Sequence, residues 1–256
     1  MTLSIEIKKP FAFVTLNRPD VRNAMNQQMV QDLLTFFESI QDDRDIRAVV
    51  LAGAGGHFCA GGDIKEMQES FANPADDGSA RTAEFDRMLR TVERAPQVIV
   101  ARVEGAAMGG GFGLVCVSDI AIASTSAKFG LPEVRLGIVP ALISPYVIRR
   151  MGLTEARKLM LTGGRFSGAE AVHYGIVHEV VEPDELDARI SATLDDIREC
   201  SPQALALCKE LIFKAVDGDA SADYRASKLD ALRRSESGQE GMMAFIQKRK
   251  PTWSES

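Results

Sequence analysis

Two glycine-bearing turns, followed by one glutamate, are the residues of this chain best suited to chemistry. The first turn is His57-Phe58-Cys59-Ala60-Gly61-Gly62-Asp63, after the apolar run Ala48-Val49-Val50-Leu51. The second is Gly105-Ala106-Ala107-Met108-Gly109-Gly110-Gly111, after Gln97-Val98-Ile99-Val100-Ala101. Taken singly, such glycines serve tight turns and close packing equally well. Together, two turns can aim two backbone N–H groups at one point and hold the negative oxygen of an enolate or tetrahedral intermediate. Glu133, in Phe129-Gly130-Leu131-Pro132-Glu133, can then move protons beside that oxygen.

These groups need elements to position them. Residues 4–8 and 11–16 read as short strands joined by a turn at Lys9-Pro10. Asn26 is a candidate cap for a helix through Gln41, with Met29, Val30, Leu33, Leu34, Phe37 and Ile40 on one stripe. Strands follow at 46–51, 97–103 and 119–123, with helices between them. Strands alternating with helices predict an α/β core with largely parallel pairing. Residues 71–80 read as a loop near the mouth of the site, either a plain connection or a lid. After Pro140 the pattern turns helical, over 154–162, 167–174, 184–199, 202–217 and 221–249.

Composition narrows the class. The chain has 256 residues, 45% hydrophobic and 26% charged, enough for one large core. A net charge of −6 argues against general nucleic-acid binding. Cys59, Cys116, Cys200 and Cys208 form no CxxC pair, and His57, His173 and His178 lack metal-ligand spacing. Cys116, in an apolar run, reads as a small core residue. Without a basic-then-apolar leader or a long apolar stretch, no signal peptide or membrane span is expected, and the expected location is cytoplasmic.

The motifs in this order resemble the enoyl-CoA hydratase/isomerase (crotonase) superfamily over nearly the whole chain. They are Asn17-Arg18-Pro19 with Asn23-Ala24, Phe58-Cys59-Ala60-Gly61-Gly62-Asp63-Ile64, the second glycine turn, Ser118-Asp119-Ile120-Ala121, Phe129-Gly130-Leu131-Pro132-Glu133-Val134, Gly137-Ile138-Val139-Pro140, and the tail from Phe245 to Pro251. The resemblance implies a ββα spiral core over 1–195 and a helical C-terminal oligomerisation region over 196–256, assembling as a homotrimer or dimer of trimers. It implies an acyl-CoA thioester as partner, with CoA as part of the substrate and no cofactor or metal. Ala60 and Gly110 match the oxyanion-hole positions, and Glu133 matches one of two catalytic glutamates. Gly61, Gly62, Asp63, Ile64, Lys65, Asn23, Ala24 and Gly113 fall on substrate-contacting stretches. Phe245 and Lys248 match tail positions that reach the nucleotide, often across a subunit contact. Lys65 and the Lys248-Arg249-Lys250 run can equally be solvated charges, and Asp119 reads as a structural ion-pair partner.

One departure matters. The family's second glutamate is replaced: the chain reads Gly109-Gly110-Gly111-Phe112-Gly113. One carboxyl must then do the work of two or borrow another group. Three readings stay open. The wording is similar to isohexenylglutaconyl-CoA and methylglutaconyl-CoA hydratases, which implies hydration of a branched α,β-unsaturated acyl-CoA. A delta-3 to delta-2 enoyl-CoA isomerase needs only one proton shuttle. A non-catalytic acyl-CoA binder is the third, against which the intact Glu133 weighs. Residues 139–146, bulkier than the Gly-rich form usual in straight-chain hydratases, are expected to reshape the acyl pocket.

Overall fold

The computed structural model describes residues 1–72 and 78–254. β1 (Leu3–Lys8) and β2 (Phe11–Leu16) form an antiparallel pair. α1 (Gln27–Ser39) follows, capped by Asn26, whose Oδ1 accepts the Met29 N–H at 3.1 Å. The predicted stripe is buried, with Phe36 added to it. β3 (Ala48–Gly53), α2 (Ile64–Phe71), α3 (Ser79–Arg94) and β4 (Val98–Val103) come next. Residues 73–77 of the expected loop lie outside the described residues, and its last two residues begin α3.

β5 (Ala106–Met108) leads into α4 (Gly110–Val117), then β6 (Ile120–Ser124) and β7 (Lys128–Gly130). α5 (Ser144–Thr162) is longer than the expected 154–162 and is interrupted by the non-helical Gly152. β8 (Arg165–Ser167), α6 (Gly168–His173) and β9 (Glu179–Val181) complete the sheets. α7 (Leu186–Arg198), α8 (Pro202–Val216), α9 (Ala222–Arg234) and α10 (Glu236–Gln247) end the chain.

The main sheet has the order β1-β2-β3-β4-β6-β9, parallel from β2 onward. Its inner strands, β2, β3, β4 and β6, bury both faces, so alternate residues feed different cores. From β3, Val49 and Leu51 join the large cluster with α1, α3 and α4, whereas Ala48 and Val50 meet Leu186, Ile190 and Leu194 of α7. Each buried Val, Leu or Ile side chain contributes about 1.5–3 kcal/mol. This two-sided covering and the long parallel pairing are the α/β core that the sequence pattern predicts, in the spiral form that the resemblance implies.

One sequence expectation is corrected. The boundary at 195/196 falls inside α7, whose Ile197 packs in the core. The helical stretch expected over 221–249 comprises two helices broken at Ser235, which accepts the Gly238 N–H and so caps α10. A Cβ on Gly238 would lie 2.1 Å from the Leu232 carbonyl oxygen, so the close turn requires glycine.

A smaller sheet, β5-β7-β8, holds the chemistry. Two isolated parallel bridges, Cys59 to Ala107 and Met25 to Gly62, extend it outward. Both glycine turns and the Asn23 loop therefore lie side by side.

Candidate active site

Backbone pairing decides which N–H groups the first turn can offer. Cys59 N–H donates to the Ala106 carbonyl at 2.8 Å, and Met108 N–H returns to Cys59 at 2.9 Å. On the other side Met25 N–H donates to Gly61 at 2.7 Å, and Asp63 N–H donates to Met25 at 3.0 Å. In such a parallel bridge the middle residue, Gly62, turns its own N–H to the opposite side. Among the described residues nothing accepts from it. Ala60, matched by resemblance to the oxyanion position, is spent: its N–H donates to the Arg22 carbonyl at 3.0 Å. The sequence expectation for Ala60 does not fit this geometry, because Arg22 reaches across from a loop that linear order leaves 38 residues away.

The second turn offers Gly110. Gly109 N–H is used on the Gly130 carbonyl at 3.0 Å, but Gly110 is the first residue of α4, where N–H groups have no acceptor inside the helix. The helix dipole adds positive potential there. Close packing fixes the approach. A Cβ on Gly111 would lie 2.5 Å from Cys59 Cβ, and one on Gly61 would lie 3.2 Å from the Met108 carbonyl oxygen. Small residues are thus required where α4 rests on the first turn. Phe85 of α3 covers Gly110 from above.

Glu133 sits on a 3-10 turn, Pro132–Leu136. A Cβ on Gly109 would lie 2.9 Å from Glu133 Oε1, which puts the carboxyl against the second turn. Its Oε2 is buried with no hydrogen-bond partner. Burial pushes the carboxyl above the usual glutamate range, offset in part by a hydrogen bond from its own backbone N–H. A half-buried carboxyl raised in this way, beside two unspent N–H donors, suits proton transfer next to a developing oxyanion.

Gly113 is buried. A Cβ there would lie 2.4 Å from Ile143 Cγ2 and 3.9 Å from Leu89 Cδ2. Ile143, buried ahead of α5, occupies the space into which a side chain at 113 would project. The departure seen in the sequence is therefore built into the packing, and Gly113 is a packing position, with no surface left for substrate.

The other expected substrate-contacting residues divide. Gly61, Gly62 and Asp63 join the cluster. Asp63 Oδ2 pairs with Arg18 Nη2 at 2.8 Å, and Oδ1 accepts from the Lys65 and Glu66 N–H groups. Burial opposes its ionisation, but these bonds outweigh it and hold the carboxyl below its usual range. Ile64 and Lys65 are exposed beside it. Asn23 is corrected: its side chain is 0% exposed, accepting from Arg18 N–H and donating to the Ala54 and His57 carbonyls. It scaffolds the loop and cannot reach a ligand. Ala24 gives its carbonyl to Arg18 Nη1. Phe245, 86% exposed, and Lys248, also exposed, stand at the end of α10, so within one chain neither packs on the cluster.

Phe85 was not singled out from sequence, and Arg18, His57 and Ile143 appear there only inside longer stretches, without these roles. Their signal is absent there because their partners are distant in the chain. Cys59 beside the turn is inert, with burial pushing its thiol up to about 11. Cys116 is a core residue raised to about 12, as expected. Asp119 is the expected ion-pair partner, 2.6 Å from Lys209 Nζ. Among the described residues no cluster suits a metal and no helix is long and apolar enough to cross a membrane. A cleft of about 650 Å³ lined by Arg44, Arg94, Phe213 and Lys228 includes none of the cluster residues.

Fold and site together give an α/β protein with two unspent backbone N–H groups beside one half-buried carboxyl, an arrangement suited to an enzyme that stabilises an oxyanion. The sequence model described as enoyl-CoA hydratase/isomerase matches residues 6–256. A probable enoyl-CoA hydratase, echA8, of Mycobacterium tuberculosis is 35% identical over 98% of this chain and 96% of its own length. The short-chain-enoyl-CoA hydratase of Clostridium acetobutylicum is 33% identical, covering 96% and 95%. Among solved structures, Pseudomonas aeruginosa AtuE is 47% identical with a TM-score of 0.97, covering 99% of this chain and 100% of that one. An enoyl-CoA hydratase/isomerase from Marinobacter aquaeolei is also 47% identical, at 0.94, covering 99% of each chain. The chain belongs to the enoyl-CoA hydratase/isomerase family and has its crotonase fold.

Proposed function

We propose that this enzyme hydrates a branched α,β-unsaturated acyl-CoA of the glutaconyl type, such as 3-methylglutaconyl-CoA or isohexenylglutaconyl-CoA. The observation that carries the reading is the buried, partnerless Glu133 Oε2 against a turn whose Gly110 N–H is unspent. The N–H groups of Gly62 and Gly110 receive the thioester carbonyl oxygen, in place of the Ala60 and Gly110 pair drawn from resemblance. Ionised Glu133 takes a proton from water as the water oxygen bonds to the β-carbon. The C=C electrons move to the thioester as an enolate, and the proton held by Glu133 then goes to the α-carbon. Each donor contributes on the order of 3 kcal/mol to holding the enolate oxygen.

The branched substrate is supported by the motif wording and by Ile143, which fills the space of a second acid. Glu133→Gln tests the role of the carboxyl: turnover of 3-methylglutaconyl-CoA should fall by about 10²–10⁴ while acyl-CoA binding persists, and a loss of less than about tenfold would sink the assignment. The lone carboxyl also favours a second reading, delta-3 to delta-2 isomerisation. A product 18 mass units heavier than substrate marks hydration; unchanged mass from a delta-3 substrate marks isomerisation. Assembly as trimers or a dimer of trimers is part of this reading, supported by exposed Ile212, Val216, Met242, Phe245 and Ile246 on the C-terminal helices. Phe245 and Lys248 would then meet the nucleotide of a neighbouring subunit.

A further inference from the structure

We infer that His57 is a positioning residue whose imidazole, acting as a backbone acceptor, sets the spacing of the two anion-binding turns. The inference rests on the proposed use of the Gly62 and Gly110 N–H groups. In regular parallel pairing next to the Cys59–Ala107 bridge, Ala106 N–H would be received by the carbonyl of residue 57. That carbonyl is diverted: it accepts from Asn23 Nδ2 at 2.7 Å. His57 Nδ1 takes its place and accepts the Ala106 N–H at 3.1 Å. The side chain thus completes a rung that its own backbone has given up. Accepting at Nδ1 puts the ring proton on Nε2.

The neighbouring glycine leaves room for this bond. Gly105 has φ +56°, and a Cβ there would lie 2.5 Å from His57 Nδ1 and 2.2 Å from the Gly56 carbonyl oxygen. The second turn therefore abuts the imidazole directly. The rung lies two residues before the Cys59–Ala107 bridge, five residues before Gly62 and four before Gly110. Loss of it lets the turns splay, and misplacement by about 1 Å can cost about 100-fold in rate.

His178 supplies an internal control. Its Nδ1 accepts the Ala121 N–H at 3.0 Å in the same manner, at the β6–β9 end of the main sheet.

His57→Leu, His57→Asn and His178→Leu are compared with the wild type by hydratase kinetics, thermal melting and the absorption of bound cinnamoyl-CoA, which shifts to the red when its carbonyl is polarised. Asn places an amide oxygen where Nδ1 sits. His57→Leu should lower kcat at least tenfold with KM within about threefold, and should lose the red shift. His57→Asn should restore most of both. His178→Leu should melt earlier yet keep its kcat and red shift. If His57→Leu does not fold, His57→Gln, whose amide oxygen sits one bond further out, replaces it with the same expectation. Wild-type kcat in the variant lacking the acceptor, equal loss in His57→Asn, or equal loss in His178→Leu would each overturn the inference. A wild type that turns over no enoyl-CoA removes the proposed function instead, and the red shift still reports on the rung.

Discussion

Gly113→Glu, the substitution that would return a second acid to the family's place, meets a filled space. The new Cβ would lie 2.4 Å from Ile143 Cγ2, and position 113 is buried. Overpacking alone costs about 1–3 kcal/mol. Enclosing a carboxylate without a partner adds to that, or drives it to its protonated form. Ile143→Ala by itself leaves a cavity worth about 2–5 kcal/mol. Made together, the glutamate fills the space that the isoleucine vacates. The double variant should therefore be more stable than the sum of the single changes predicts, with a coupling of about 0.5–3 kcal/mol. At about 2–4 °C in Tm per kcal/mol for a chain of this size, the coupling is measurable by melting all four members of the cycle. Crotonyl-CoA hydration provides a second readout, with the double variant at least about tenfold faster than Ile143→Ala if a second carboxyl supplies acid/base help. Strict additivity, or a Gly113→Glu protein that melts with the wild type, would refute the claim that Ile143 occupies the acid's space.

Glu133→Gln should lower kcat by about 10²–10⁴ with little change in KM, measured on the branched substrate. Because burial raises the Glu133 carboxyl, folding favours its protonated form; the stability this adds is complete below the unfolded value and is lost as pH rises through the folded one. Melting from pH 4 to 8 should thus show the glutamine variant gaining on the wild type as pH climbs, and the acid limb of kcat/KM should lie above the ordinary carboxylate range. Arg18→Met removes a charged hydrogen bond to Asp63 and one to the Ala24 carbonyl, costing about 1.5–3 kcal/mol in urea unfolding. Asp119→Asn removes the countercharge of the buried Lys209 ammonium, leaving it the Gln97 carbonyl at 3.0 Å, and should cost about 3–5 kcal/mol. Lys209→Met should cost less, since Asp119 still accepts the Ile99 N–H and keeps some solvent contact.

The sequence by itself determined the local structure. Asn26 before a three- and four-residue apolar stripe specified α1, because capping and amphipathic periodicity act within one or two turns. Apolar runs ending in glycine specified strands that lead into the two turns, and Gly113 declared the missing acid. Resemblance supplied the family and Glu133. Tertiary structure decided the rest. Which N–H of the first turn is left for a ligand depends on Arg22 and Met25 arriving from another loop, so Ala60 is spent while Gly62 is not. Asn23 became scaffold because its amide meets carbonyls 31 and 34 residues away. Ile143 closes the space beside Gly113, and burial of Glu133 raises its carboxyl, only when the helices and both sheets are assembled. Hydrogen-bond satisfaction and desolvation are properties of a neighbourhood, and linear order does not state which residues will share one.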